Sequence, residues 1–381
     1  MEREVIVVGA GPGGATAAMS LAQKGYDVLL LDRHTFPRDK TCGDGIPGGA
    51  IDILARLGMR EKITQAGFYP ARSMLLVSPS GHDFSAPFKL SAGGSESYIV
   101  PRLQFDQVLV QHAVDSGAEF VPGQAMEPLM ERGRVTGIRA RLNGKVQDIR
   151  ARLVIAADGA TSVIARALRP DKQEDMHKAV AVRAYLEDFE EFAHQIEFYL
   201  YNGVLPGYAW IFPTGKGQAN IGLGMRVDHF RRMKGNLEKM LDQFIAMPDI
   251  KKRFKPTTRM HGVASWQLPF GSQKMQRAYE GALLVGDAAG LINPLTGGGI
   301  HNAIISGDLA AAAAHEALQI NDPSRERLKQ YETQCDEAMW ESMHHSFLLQ
   351  HWLFRFPLLV DFLIKYMGAN SRFAQTFLTK L

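Results

Sequence analysis

Only two cysteines, Cys42 and Cys335, occur in 381 residues, far apart and without C-x-x-C spacing. That excludes a disulfide framework and a cysteine-based metal site, and it points to a reducing compartment, with the cytoplasm as the default. Charge of neither sign dominates: 43 Lys and Arg against 40 Asp and Glu leave a net charge of +3, with the basic residues dispersed. A nucleic-acid-binding surface therefore has no support. There are 12 histidines but no H-E-x-x-H, and His344 and His345 are adjacent rather than at same-face helical spacing, so no metal is expected. No G-x-S-x-G elbow is present, which removes a common hydrolase arrangement. Internal repeats, low-complexity runs and long linkers are also lacking. No apolar stretch reaches the ~20 residues of a membrane-spanning helix. The densest, 344–381, is interrupted by Gln350, His351, Arg355, Pro357 and Asp361 and reads as two helices breaking at Pro357. The apolar residues 5–10 do not read as a secretion signal, because Glu2 and Glu4 precede them and a glycine motif follows at once.

What is present is 46% hydrophobic residues, enough for one large or two ordinary domains with proper cores. The first organised stretch, "REVIVVGAGPGGATAAMSLAQKGYDVLLLDR", reads as strand, tight turn, helix to about Lys24, and a second strand over 28–31 ending in Asp32. Gly9, Gly11 and Gly14 make G-x-G-x-x-G, with Pro12 and Gly13 inside the motif and Arg33 after the acid. Gly9 permits the turn, Gly11 lets a pyrophosphate approach backbone N–H groups, and Gly14 lets helix pack on strand. The positive helix end favours the phosphates, and Asp32 is placed to accept from ribose hydroxyls. This is a dinucleotide-binding unit, but the motif does not choose between FAD and NAD.

Two later segments have the same strand–turn–helix form. "ARLVIAADGATSVIARAL" carries Asp158 and Gly159; "YEGALLVGDAAGLINPLTGGGIHNAIISGDLAAAAAHEAL" carries Gly286, Asp287, Asn293, Pro294 and Gly297, Gly298 and Gly299 before a long Ala-rich helix. The amides at that helix start could face the N1 and C2 carbonyl edge of a flavin and favour its reduced, negatively charged state.

Between these units the pattern changes. "SMLLVSPSGHDFSAPF" reads as a hairpin, and "HKAVAVRAYLEDF", "QIEFYLYNG", "GYAWIFPTG" and "QANIGLGMRV" read as antiparallel strands, followed by one helix over about 229–246. Strand alternation puts Tyr208, Trp210 and Phe212 on one face, either an aromatic wall for an apolar ligand or ordinary sheet packing. In "KTCGDGIPGG", Cys42 beside Lys40 reads either as a thiol of lowered pKa able to give a proton or as a small buried residue in a turn. Cys335, on a predicted helix, reads as inert.

In order, these segments resemble the flavoprotein group of aromatic hydroxylases, flavin halogenases and geranylgeranyl reductases, over nearly the whole chain. The resemblance implies a single FAD extended across the three nucleotide-type segments, with Asp287 at the ribityl chain. It also implies a helix carrying Arg102 and Asp106, with Arg102 close to the flavin. Tyr-x-Trp-x-Phe-Pro at 208–213 is similar to the signature of the geranylgeranyl reductase family, where it lines the isoprenoid cavity. One departure is that Pro206 stands two residues before the tyrosine rather than three. The K-x-C-G stretch resembles that family's too, which implies that Cys42 and Gly43 lie near the isoalloxazine on the substrate side. The halogenase W-x-W-x-I-P signature is absent.

The expected architecture is α/β: a Rossmann-type FAD-binding domain (1–65, 100–168 and 273–330) with an inserted, mainly antiparallel substrate domain (66–99 and 169–272) and a C-terminal helical cap (331–381). The expected activity is reduction of isoprenoid carbon–carbon double bonds by hydride from reduced FAD, with a proton from Cys42, Tyr208 or water. Catalytic roles fall to Cys42, Tyr208 and Trp210, and substrate contact to Tyr208, Trp210 and Phe212. NAD(P)H or reduced ferredoxin would load the flavin without a second Rossmann domain. The alternatives are a monooxygenase or halogenase of the same fold, and a non-catalytic flavin-binding redox sensor. The implied partner is an apolar isoprenoid or lipid, with peripheral membrane contact through the C-terminal helices as the accompanying expectation.

Overall fold

The computed structural model describes residues 2–88, 94–169 and 171–370; part of the predicted cap, 371–381, lies outside them. The β-branched and leucine runs of the first stretch form the strands Glu2–Val8 and Val28–Asp32, paired in parallel with Val5 opposite Val28. On its other side Glu2–Val8 pairs in parallel with Lys145–Ala156, which pairs in turn with Ala282–Leu284. Helices cover both faces of such a sheet, so its central strands carry unbroken apolar runs: Val5, Ile6, Val7 and Val8 are all buried. Glu119–Glu131, beside Val28–Asp32, and Lys145–Ala156 extend beyond this core and are bridged by antiparallel Arg134–Leu142.

The helix Pro12–Ala22 is buried along its whole length. It crosses Ile300–Gln319 closely, where a Cβ on Gly307 would lie 2.3 Å from the Gly13 carbonyl. Small residues on both helices allow the approach.

A second seven-stranded sheet runs Phe254–Pro269, Lys178–Phe189, Gln218–Arg226, Gly207–Gly215, Gln195–Tyr199, Ser73–Val77 and Asp83–Pro87. It is antiparallel except where Gln195–Tyr199 meets Ser73–Val77 in parallel. One face, with Val182, Ile211, Ile221 and Leu223, packs on Met240, Leu241 and Phe244 of the helix Leu237–Ile245. The other faces the first sheet. The fold is thus α/β, Rossmann-type with a mainly antiparallel second sheet and C-terminal helices.

Two expectations need correction. The single helix over 229–246 is two, Val227–Arg232 and Leu237–Ile245, because Lys234 adopts φ +51° and Asn236 caps the second by accepting from Lys239 N at 2.9 Å. The long strand Phe254–Pro269 was not foreseen; its residues are mostly solvent-facing and so lack an apolar pattern.

The C-terminal helices Glu341–Leu353 and Pro357–Ala369 do break at Pro357. Among the described residues no single helix is long and apolar enough to cross a membrane. The stretches Arg325–Leu353 and Pro357–Ala369 pass that test only together, bent by 115°. Phe354, Val360 and Ile364 pack on Phe84 of the hairpin, and Asp361 accepts from Ser80 N and its hydroxyl, both at 2.8 Å.

Candidate active site

One cavity of about 760 Å³ runs between the two sheets, from the end of Val28–Asp32 through the first glycine motif to the aromatic face of the second sheet. Gly9, at φ +98°, leaves no room for a side chain, since a Cβ would lie 2.3 Å from Ala157 O. A Cβ on Gly14 would lie 1.8 Å from Gly9 O; Gly14 is not on the cavity wall and serves helix–strand packing. Gly11 differs: a Cβ there would meet nothing nearer than the Arg38 and Arg102 guanidinium nitrogens, at 3.7 and 3.8 Å. The space over Gly11 is therefore open, beside two cations and the positive end of the helix Pro12–Ala22.

Both cations converge on one acid. Arg102 donates to the two carboxylate oxygens of buried Asp106 at 2.7 and 2.6 Å, and Arg38 lies 2.7 Å from the same carboxylate. Two guanidiniums against one carboxylate leave net positive charge facing the cavity, suited to a diphosphate. Asp32 accepts from Ala10 N and His34 N, both at 2.9 Å, which fixes its carboxylate at the cavity end beside Arg33.

Further along, Asp158 accepts from Val163 N at 2.8 Å while its Oδ1 is buried without a partner; burial holds its pKa above the usual carboxylate value. Asp287, on the wall with Gly286 and Pro294, is 3.2 Å from Lys40 Nζ. Gly297, at φ +65°, Gly298 and Gly299 lead into the helix Ile300–Gln319, whose start opens onto the cavity. Asn293 Oδ1 shapes this loop by accepting from Leu295 N and Thr296 N at 2.9 and 3.0 Å. An open glycine backbone, paired arginines, a held Asp32 and an unpartnered Asp158 oxygen together fit an extended dinucleotide.

The remaining wall is aromatic. Tyr208, Trp210 and Phe212 share the cavity face, with centroids 6.0 and 6.3 Å apart, and Phe198 meets Tyr208 and Phe212 edge-on at 5.3 and 5.2 Å. Room for Trp210 comes from Gly222 on the next strand, whose Cβ would lie 2.3 Å from the indole. Tyr208 donates its hydroxyl to Thr296 O, tying the wall to the glycine loop. Pro206, the departure in spacing, has its carbonyl accepting from Arg226 N at 3.3 Å at the strand start.

Cys42 and Gly43 sit between cradle and wall: a Cβ on Gly43 would be 3.3 Å from the Phe212 ring. The expected thiol activation by Lys40 is not found. Burial pushes the Cys42 thiol up, and Arg102 and Lys40, whose ammonium pairs with Asp287, offset only part of that. Cys42 is therefore a neutral thiol at neutral pH. Cys335 is buried, with its thiol pushed up to about 11 by burial.

Sequence reasoning missed Asp44, Tyr185, Asn220 and Arg38. Asp44 is fully buried and accepts from Tyr185 Oη at 2.7 Å and Asn220 Nδ2 at 2.8 Å. Asn220 Nδ2 also reaches Cys42 O at 2.7 Å, and its Oδ1 accepts from Trp210 Nε1 at 2.8 Å. The only signal in the sequence was an acid between two glycines, directly after the cysteine motif.

Cradle and wall together define an FAD-dependent oxidoreductase, and the family profile described as FAD binding domain matches residues 2–346. Digeranylgeranylglycerophospholipid reductase 2 of Methanopyrus kandleri is 33% identical over 91% of this chain and 85% of its own length. The digeranylgeranylglycerophospholipid reductase of Thermoplasma acidophilum is 33% identical over 92% and 86%. The solved structure of a geranylgeranyl bacteriochlorophyll reductase-like protein from Thermoplasma acidophilum superposes with TM-score 0.85 at 29% identity, covering 97% of this chain and 91% of that one. A flavin-dependent brominase, at TM-score 0.78 and 21% identity over 97% and 94%, shares the fold alone. The chain belongs to the geranylgeranyl reductase family of FAD-dependent oxidoreductases.

Proposed function

We propose that this protein saturates carbon–carbon double bonds in the isoprenoid chains of a lipid. The observation that carries the reading is the continuity of the cavity: the open glycine cradle, the Cys42 thiol and the wall of Phe198, Tyr208, Trp210 and Phe212 line one space. A prenyl chain is long, apolar and without hydrogen-bonding groups, so an aromatic trough matches it and a polar pocket would not. The lipid-reductase names of the relatives support the same substrate class.

FAD held by the cradle supplies, once reduced by NAD(P)H or a reduced ferredoxin, the hydride for one alkene carbon. The segments 1–65, 100–168 and 273–330 hold it; 66–99 and 169–272 hold the substrate. Gly9, Gly11, Pro12 and Gly13 with Arg102 take its diphosphate, Asp32 its ribose, and Asp158 and Asp287 the stretch between. Pro294 and Gly297 to Gly299 would line the ring end, the glycines leaving backbone without side chains at the start of the helix Ile300–Gln319. Trp210 and Phe212 align the alkene, which an unactivated double bond requires. Cys42 gives the proton to the second carbon, because its neutral thiol faces the cavity. The Tyr208 hydroxyl is committed to Thr296 O and pushed up by burial, so it holds the loop.

The C-terminal helices provide the route for the lipid. Trp352, Phe356 and Phe362 are 57%, 57% and 61% exposed and Leu358 83%, with Arg355 and Lys365 exposed beside them. Aromatic and aliphatic side chains flanked by cations suit the interface of an anionic bilayer. On the inner side of the same helices Gln350 lines the cavity and donates to Pro294 O at 2.6 Å. Peripheral docking there would deliver substrate to the wall from the cytoplasmic face of a membrane.

Anaerobic absorbance of the dithionite-reduced protein tests the reading. A geranylgeranyl lipid reoxidises the flavin and its fully saturated counterpart does not; reoxidation by oxygen alone would instead indicate a monooxygenase.

A further inference from the structure

We propose that the second sheet carries a slot that seats the methyl branches of the prenyl chain, with Ala181 and Gly224 as its floor and the rings of Tyr208 and Trp266 as its sides. The proposal deepens the substrate reading and rests on it: it names the feature by which this cavity distinguishes an isoprenoid from a straight chain.

The slot follows from strand register. Trp266, Ala181, Gly224 and Tyr208 stand side by side on four successive strands, and all four line the cavity. Residues in register on adjacent strands share a face. Two large rings therefore flank two positions with almost no side chain, across about 14 Å at the usual strand spacing. Gly224 lies on an interior strand, where Ile221, Gly222, Leu223 and Met225 are buried, yet it is itself part-exposed, so its open side is the cavity. A Cβ there would meet only Ala181 and the Val180 carbonyl of the adjoining strand, at 3.2 Å or more.

The rows on either side give the slot two different ends. Toward the cysteine turn the row is Ala264, Arg183, Gly222 and Trp210. Its floor is filled, because the Trp210 indole lies over Gly222 and Arg183 is held by Asp39 and by Gly262 O, both at 2.7 Å. Toward the C-terminal helices the row is Leu268, Ala179 and Arg226, and Arg226 Nη1 reaches His351 Nδ1 at 3.2 Å. Next to His351 stands Gln350, 3% exposed and on the cavity wall, whose Nε2 is committed to Pro294 O while Oε1 is buried with no partner. An acceptor left over on a fixed, buried amide calls for a donor that the protein does not supply. A hydroxyl at the head end of a lipid supplies it. A chain anchored there runs inward over Ala179, Ala181 and Gly224 and stops at Trp210, whose indole nitrogen is 3.5 Å from where a Cβ on Gly43 would lie.

Selectivity for branches is a matter of packing. A straight chain between the two rings leaves the space over Gly224 unfilled and loses the contacts that a methyl branch makes there. One such group in a hydrophobic pocket discriminates by roughly 10–200-fold.

The test compares two saturated alcohols of the same main-chain length, phytanol with methyl branches and hexadecanol without, by calorimetric titration of the oxidised holoenzyme. The wild-type protein binds phytanol at least tenfold more tightly. Gly224→Val fills the slot: it lowers phytanol affinity at least tenfold and changes hexadecanol affinity less than about threefold. Ala181→Leu does the same and serves should Gly224→Val fail to fold. No binding of phytanol, equal wild-type affinity for the two alcohols, or a parallel loss for both in folded, flavin-loaded variants overturns the slot. A tenfold loss of FAD affinity in the variants also overturns it, by assigning the space to the flavin ring. The titration involves no turnover, so it is separate from the substrate reading, which fails instead if a geranylgeranyl lipid does not reoxidise the reduced wild-type protein.

Discussion

Trp210 Nε1 donates to Asn220 Oδ1 at 2.8 Å, and Asn220 Nδ2 in turn donates to Cys42 O and Asp44 Oδ2. One buried amide thus locks the aromatic wall to the cysteine turn. Asn220→Ala leaves the indole N–H, the Cys42 carbonyl and the Asp44 carboxylate short of partners, at about 1–3 kcal/mol for each group left unsatisfied. We expect a loss of about 3 kcal/mol or more in urea unfolding of the apoprotein.

The two glycines of the first motif separate folding from binding. Gly14→Ala forces a Cβ to 1.8 Å from Gly9 O and should abolish the folded state or its helix–strand contact. At Gly11 the Cβ has 3.7 Å of clearance, so Gly11→Ala should unfold at the wild-type temperature as apoprotein yet bind FAD at least tenfold more weakly in fluorescence titration.

Cys42 and Tyr208 are expected to differ in kind. Cys42→Ala should lower the rate of flavin reoxidation by lipid about 10²-fold or more, the scale of a lost general acid, while leaving reduction of the flavin by its donor unchanged. Tyr208→Phe keeps the ring and loses only the bond to Thr296 O, so its effect in the same stopped-flow assay should stay below about tenfold.

Asp44 also shapes the dependence of stability on pH. Its carboxyl sits at about 6 in the fold against 3.8 ordinarily, so the folded state binds its proton more tightly than the unfolded chain. That stabilisation is fully present below about 3.8 and is lost as pH rises through about 6. The group therefore removes up to about 3 kcal/mol between pH ~4 and pH ~7. Asp44→Asn should stabilise the apoprotein relative to wild type above pH ~6 by an amount approaching that limit, with no gain near pH ~4. An equal difference at both pH values in denaturant titrations would remove the assignment.

The exposed apolar corner predicts lipid binding that substitution weakens without loss of fold. Phe356→Ser with Phe362→Ser should lower co-sedimentation with anionic phospholipid vesicles at least tenfold and leave the melting temperature unchanged, since both rings face solvent.

How far the sequence foretold this site follows from how local each part is. The cradle was legible because Gly9, Gly11 and Gly14 answer to backbone geometry within a few residues, and Asp32 closes the next strand. The wall was legible through alternation at Tyr208, Trp210 and Phe212. The hydrogen bonds behind it were not: Tyr185 and Asn220 reach Asp44 across 141 and 176 residues, from strands whose neighbours no local pattern specifies. The Cys42 environment failed for a related reason. Lys40 is close in sequence, yet its ammonium pairs with Asp287, and desolvation decides the thiol instead. The strand Phe254–Pro269 escaped because its largely solvated residues carry no apolar alternation.

The most direct test of the central claim is the mass of a digeranylgeranyl lipid recovered after anaerobic incubation with the reduced protein. The account predicts a gain of two hydrogens for each double bond saturated, in proportion to the flavin reoxidised. Lipid recovered at its starting mass, with the flavin reoxidised only when oxygen is admitted, would contradict it.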